Sequence, residues 1–319
     1  VASGSDGGIV IGTRPHGFLK LAADGTLEKA VRPVPTSVVK SGFNTLLATA
    51  DGGALAGGTY FASFEDKSDA WLVKRNKKGD VEWSVRWGQK DVTETPYKFV
   101  ELPDGYLVVG EVFATQLNPA TRGFVLRLDK SGALTWAREF VGCTNLDNIS
   151  LRTGLLSRDG DYVVGGTLAN PIKLLVFKVK PDGAVAWTST VAESGPTLGL
   201  NLTAIEQLDS GGFISAGTYI TPGNHDDVWV AAMDSIGRVD WMRRYGGAAN
   251  DQAPAFALTP DNGILVAATT GSFNDTGSGG GLLTLKVPRK DGAITFAASG
   301  GATLGTVSQV AGQACVKSE

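Results

Sequence analysis

The sequence is poor in the residues from which catalytic centres are usually built. Two histidines, His16 and His225, and two cysteines, Cys143 and Cys315, are all that its 319 residues contain. A multi-histidine metal centre is thereby excluded. Nowhere do about 18 apolar residues run together, so no transmembrane segment is expected. Charged residues make up 19% and the formal net charge is −3. That leaves no basic surface to neutralise phosphates and argues against a nucleic-acid partner. There is no Gly-x-Ser-x-Gly elbow, no phosphate-binding loop and no dinucleotide fingerprint. Nor does any window of about 11–18 residues sustain the i, i+3, i+4 spacing of an amphipathic helix.

Glycine, by contrast, is abundant at 43 residues, and it falls into a period. Gly79 and Trp83, Gly132 and Trp136, Gly183 and Trp187, Gly237 and Trp241, and Gly292 and Phe296 share one spacing, and Gly25 heads a first copy with Lys29 in the aromatic place. Successive glycines lie 54, 53, 51, 54 and 55 residues apart. A second landmark keeps the same beat: Asp6-Gly7-Gly8, Asp51-Gly52-Gly53, Asp104-Gly105, Asp159-Gly160, Ser210-Gly211-Gly212 and Asp261-Asn262-Gly263. A period in this range dictates the fold.

Within each copy, strand-length runs rich in β-branched and aromatic residues alternate with Asp/Gly/Asn turns, the pattern of four short strands. Six four-stranded units of this size predict an all-β, six-bladed β-propeller, read as a single domain over 1–319. Tight Asp-Gly turns then join the first strand to the second and the third to the fourth. Longer connections join second to third, and one blade to the next, so the Trp-bearing strand is outermost. The segment Val307 to Gly312 is in register with inner strands, and predicts that the C-terminus completes the first blade and closes the ring, protecting two sheet edges; the competing frame takes each copy as one self-contained blade with no shared closure. In that frame Cys143 and Cys315 lie on opposite rims, beyond the ~7 Å Cα separation a disulfide tolerates, and are expected as free thiols. The chain opens without a charged and apolar leader, so any signal peptide is expected to be already removed or never present.

Trp136-Ala137-Arg138-Glu139-Phe140 and Trp241-Met242-Arg243-Arg244-Tyr245-Gly246-Gly247, with Asp69-Ala70-Trp71-Leu72-Val73-Lys74, resemble the repeat of a bacterial family of secreted and cell-surface β-propellers. The resemblance implies an extracytoplasmic protein (periplasmic, cell-surface or secreted) that binds or scaffolds. Asp129 to Trp136 is similar to the tryptophan-docking motif of quinoprotein propellers, but one residue short before the glycine, and the Asp boxes of sialidases are matched less well still. In both families those elements are structural turns.

The long-loop rim is where recognition is expected. Tyr60, Phe61, Phe64, Trp87, Tyr97, Phe113, Tyr219 and Phe273 fall in or beside its loops, and aromatic side chains bring contact area with a polar handle. They serve equally well as caps on the blade core. His225 and Asp226 share the loop Thr221 to Asp227, where a solvated histidine beside turn-forming acids is the plain reading and a ligand role the sharper one. No cofactor is expected; calcium, held by the acids at Glu65-Asp66 with Asp69, Asp226-Asp227 or Asn274-Asp275, is the alternative. Trp83, Trp136, Trp187, Trp241 and Phe296, and likewise Lys20, Lys74, Arg127 and Lys178, recur in strict register and read as structural positions. The leading function is a non-enzymatic module binding a protein partner through the long loops. The alternatives are a carbohydrate-binding or glycan-active propeller using acids along the central channel, and, third, a quinone-cofactor oxidoreductase.

Overall fold

The computed structural model describes residues 1–4, 7–13, 17–31, 42–61, 67–89, 91–113, 120–142, 147–169, 172–193, 199–223, 225–261, 263–273, 281–289, 303–306, 309–312 and 317–318. His16, Phe64, Cys143, Asn274, Asp275 and Cys315 lie outside them, and so do Glu65, Asp66 and Phe296. Among the described residues there are only strands and turns, and no helix is long and apolar enough to cross a membrane. Two compact units emerge, Val1–Leu151 with Lys317–Glu319, and Arg152–Val316.

In the first unit, β1 (Ala2–Ser3), β2 (Ile9–Thr13), β3 (Gly17–Leu21) and β4 (Leu27–Val31) form one antiparallel sheet. A second contains β5 (Gly42–Ala48), β6 (Ala54–Phe61), β7 (Ser68–Arg75) and β8 (Val81–Trp87). A third contains β9 (Glu94–Leu102), β10 (Gly105–Val112), β11 (Arg122–Asp129) and β12 (Leu134–Val141). The fourth sheet starts on β13 (Ile149–Leu156), where the chain passes into the second unit, and continues through β14 (Tyr162–Leu168), β15 (Lys173–Val179) and β16 (Val185–Glu193). The fifth is β17 (Gly199–Gln207), β18 (Phe213–Ile220), β19 (Asp226–Met233) and β20 (Val239–Gly246). The sixth is β21 (Asp251–Leu258), β22 (Gly263–Thr270) and β23 (Gly281–Pro288), its expected fourth strand lying outside the described residues. These are the blades of a six-bladed β-propeller, with the tight turns and long connections at the ends the repeat assigns them.

Burial follows strand position. Every residue of β10 is buried, while β12 at the far side of the same sheet is mostly half-exposed. The two middle strands of a blade are covered on both faces, which is why they read as continuous apolar runs. Leu55, Leu72, Phe99, Tyr106, Phe124 and Leu126 form one such core in the first unit. Val163, Leu174, Phe213 and Trp229 belong to another in the second.

The two landmarks of the repeat have distinct physical jobs. Trp83 lies over the hairpin glycine of the next blade: a Cβ built on Gly132 would come within 2.7 Å of its indole, and its Nε1 donates to the Lys130 carbonyl at 3.0 Å. Trp187 covers Gly237 in the same way, and Trp241 Nε1 donates to the Arg289 carbonyl at 2.8 Å. Gly132 and Gly237 also sit at φ of 85° and 78°, where a side chain is strained. The second landmark is electrostatic. Lys74, 1% exposed, holds Asp51 Oδ2 at 2.7 Å and Glu82 Oε2 at 2.8 Å. Arg127 clamps Asp104 at 2.5 Å, Lys178 clamps Asp159, Lys286 clamps Asp261, and Lys20 reaches Glu28 at 3.1 Å. In the second, third and fourth blades a buried cation ties the third strand to the turn that joins the first two; Lys286 makes the same tie while exposed, and Lys20 ties the third strand to the fourth.

The expected closure of the first blade by the C-terminus is corrected by the strand pairing. The N-terminus supplies its own fourth strand: Ala2 pairs with Val10 and Ser3 with Ile9, after a turn in which Gly4 donates to the Gly8 carbonyl. With that edge taken, the C-terminal segment satisfies other edges. β24 (Thr303–Thr306), β25 (Gln309–Gly312) and β26 (Lys317–Ser318) pair with the last strands β20, β16 and β12 of three blades. Those strands present unpaired backbone groups, and any extended segment satisfies them.

Candidate functional site at the long-loop ends

In the first unit the long-loop ends gather a mixed aromatic and acidic group. The Arg86 guanidinium lies 4.5 Å from the Tyr60 ring centroid, and Tyr60 meets Trp71 edge-on at 6.0 Å. Trp87 packs on Phe124 at 4.7 Å. Beyond it the chain turns, and the Gln89 backbone N–H donates to Glu94 Oε1 at 2.8 Å, while the Gln89 side-chain amide donates to Glu139 Oε1. Glu139 Oε2 in turn accepts from Arg122 Nε at 2.5 Å. Glu94 is fully buried, its Oε2 has no hydrogen-bond partner, and neither has Arg122 Nη1. Burial first, and then the negative charges of Asp69 and Glu139, push the Glu94 carboxyl up to about 7.

The second unit repeats the plan with different chemistry. Arg244 lies 4.9 Å from the Tyr219 ring, as Arg86 does over Tyr60, and its Nε reaches Asp227 Oδ2 at 3.3 Å. Burial raises Asp227 to about 6 against the pull of Arg244 and His225. Gly246 leaves the carboxyl its room, since a Cβ there would fall 2.0 Å from Asp227 Oδ1. Asp251, at the start of β21 as Glu94 is at the start of β9, is also fully buried. It accepts from Gly247 N at 3.0 Å, Ser272 Oγ at 2.6 Å and Thr270 Oγ1. Asp226 receives the Gln252 amide at 2.5 Å, and His225 Nδ1 lies 3.0 Å from Thr221 Oγ1.

Asp227–Arg244 and Arg122–Glu139 occupy the same register. Asp227 lies two residues before Trp229, and Arg122 two before Phe124; Arg244 pairs with Trp229 as Glu139 pairs with Phe124. The backbone is therefore constant while the ion pair is reversed in sign.

Of the residues singled out from sequence, Tyr60, Phe61, Trp87, Tyr97 and Phe273 are half-buried, while Tyr219 is 3% exposed beneath Arg244. Phe113, 37% exposed, offers more open apolar surface. His225 and Asp226 join the Asp227 and Asp251 network, and the Phe273 N–H donates to Thr270 Oγ1 at 3.1 Å beside it. Among the described residues no three His, Cys, Asp or Glu side chains gather as a metal ion requires. Sequence reasoning missed Glu94, Arg122, Glu139, Arg86, Arg244 and Asp251. Laying the copies on the Trp71, Phe124 and Trp229 register would have exposed the sign reversal.

No protein-family model and no curated protein matches this chain. Among solved structures, a Bacteroides caccae protein of unknown function is similar at 16% identity, covering 88% of this chain and 89% of its own, with a TM-score of 0.48. PorZ, a surface component of the type-IX secretion system of Porphyromonas gingivalis, is similar at 12% identity with a TM-score of 0.47; 90% of this chain matches 38% of it.

Proposed function

We propose that this protein is a non-enzymatic binding module working outside the cytoplasm, and that it engages a protein partner through the long-loop ends of its blades. One observation carries the reading: the two ends of the blades treat charge in opposite ways. The perturbed carboxyls of the tight-turn end, Asp51, Asp159 and Asp261 among them, are held below their ordinary range by clamping lysines and turn N–H groups. Glu94 and Asp227, the two carboxyls pushed upward among the described residues, both lie at the long-loop end. Charge that stabilises the fold sits at one end, and buried charge held against its preference sits at the other, which marks the long-loop end as a region kept for something besides stability. The reversal of the largely buried Arg122–Glu139 and Asp227–Arg244 pairs on one backbone register agrees with this, because the loops above them then rest on different chemistry over a constant scaffold.

Site-specific photo-crosslinking in the native host tests the proposal. A photoreactive phenylalanine at Phe113, Trp87 or Phe273 is expected to give adducts of one common mass. The same probe at Leu27, Val81 or Leu134, exposed beside the tight turns, is expected to give none. Adducts from the tight-turn positions alone, or from no position, would overturn it.

A further inference from the structure

The Lys–Asp clamp fails in one blade, and there the molecule has a cavity. In the fifth blade Ala232 stands where Lys74 stands in the second: Ala232 pairs with Trp241 as Lys74 pairs with Trp83. Ser210 replaces the turn acid equivalent to Asp51. Cation and turn acid have been lost together, yet the other acid remains, since Asp240 occupies the place from which Glu82 grips Lys74 at 2.8 Å and Glu28 grips Lys20 at 3.1 Å. The space is a cavity of about 570 Å³ lined by Leu208, Asp209, Ser210, Ala232, Asp240, Pro288 and Arg289. Its volume is within the range of small-ligand sites.

The charges around it have defined commitments. Arg158 Nη2 reaches Asp209 at 2.5 Å. Arg289 hydrogen-bonds the Thr259 carbonyl through Nη2 at 3.4 Å. Asp240 is exposed and forms no ion pair among the described residues. We infer that this cavity is a binding site for an alkyl ammonium group, the primary amine of a lysine side chain or of a free diamine, which enters where Lys74 lies in the second blade and is held by Asp240 with Ser210 Oγ. The same register positions bind an ammonium elsewhere in this chain, so the geometry for it is already built into the repeat. Ala232, whose side chain ends at the methyl group, lines the cavity at the place where the Lys74 stem runs in the second blade. The inference concerns the tight-turn end and is independent of the partner reading above.

Calorimetric titration of the full chain with n-butylamine, 1,5-diaminopentane and Nα-acetyl-lysine methylamide tests it, with n-butanol as the neutral control. Saturable binding of an amine but not the alcohol is expected, weakened about tenfold or more in Asp240→Asn, as loss of a charge-assisted hydrogen bond predicts. Ala232→Lys, which restores the missing cation, is expected to abolish binding. Tighter binding of the diamine identifies a free polyamine as the ligand, and tighter binding of the acetyl-lysine amide identifies a partner's lysine. Failure of every amine to bind, or undiminished binding in Asp240→Asn, would overturn the inference. Asp240 is exposed, so that variant decides the matter even if Ala232→Lys does not fold.

Discussion

Replacing Glu94 by glutamine should make the protein more stable, and increasingly so as pH rises. The folded state holds the Glu94 proton up to about pH 7, whereas a carboxyl of ordinary value releases it near 4.5. Between those values folding takes up a proton, so stability falls with rising pH. The favourable contribution is complete below 4.5 and lost as pH passes through 7. A rise of this size corresponds to about 3 kcal/mol, an order-of-magnitude figure for a fully buried group. The amide keeps the acceptor that receives the Gln89 N–H and puts donors where Glu94 Oε2 has no partner. Urea unfolding of both proteins at pH 5, 6, 7 and 8 provides the assay. The variant should match the parent within about 1 kcal/mol at pH 5 and exceed it by about 2–3 kcal/mol at pH 8. Asp227, raised to about 6 in the other unit, adds its own slope to both proteins and cancels in the difference. A difference that stays flat with pH, or a variant less stable at pH 8, would refute the reasoning.

Other substitutions probe the remaining elements. Lys74→Met should cost about 1–2 kcal/mol by thermal unfolding, less than a deeply buried pair would, because Asp51 and Glu82 are half-exposed and regain water. Arg122→Leu leaves Glu139, 13% exposed, without its cation and should cost about 3 kcal/mol; Arg122→Asp with Glu139→Arg, which copies the polarity of the fifth blade, should recover at least half of that in a double-mutant cycle. Trp83→Ala should cost about 3 kcal/mol, since the indole covers Gly132 and caps the Lys130 carbonyl. A loss under 1 kcal/mol in denaturant titration would count against its role in joining blades.

Architecture was legible because each landmark of the repeat does one local job. Gly132 must adopt a left-handed φ and leave room for the Trp83 indole of the preceding blade, as Gly237 does for Trp187, so glycine and tryptophan recur together in every such copy. Lys74 must reach Asp51, so both keep their register. Such short-range requirements leave a period that can be counted. The long-loop site was only partly legible. Phe113, His225 and Asp226 were marked by residue type, but Glu94 looks like any strand acid until burial removes its water. The C-terminal strands misled for a related reason: the stretch from Val307 to Gly312 stands in register with inner strands of the repeat, and hydrogen bonding to an edge does not record which edge.

The sequence alone determined the repeat, the strand order within each blade and the placing of tight and long connections, because turn chemistry and strand pairing act between near neighbours. Only the tertiary structure decided which carboxyls are buried, which edges the last strands pair with, and that a cavity lies where Ser210 and Ala232 of the fifth blade replace Asp and Lys. Those outcomes depend on what packs against a residue from far along the chain, and that information is not carried by any single window of sequence. The scarcity of histidine and cysteine excludes a multi-histidine metal centre. What it leaves open is a chemistry of carboxylates and guanidinium groups, which only the folded arrangement brings together.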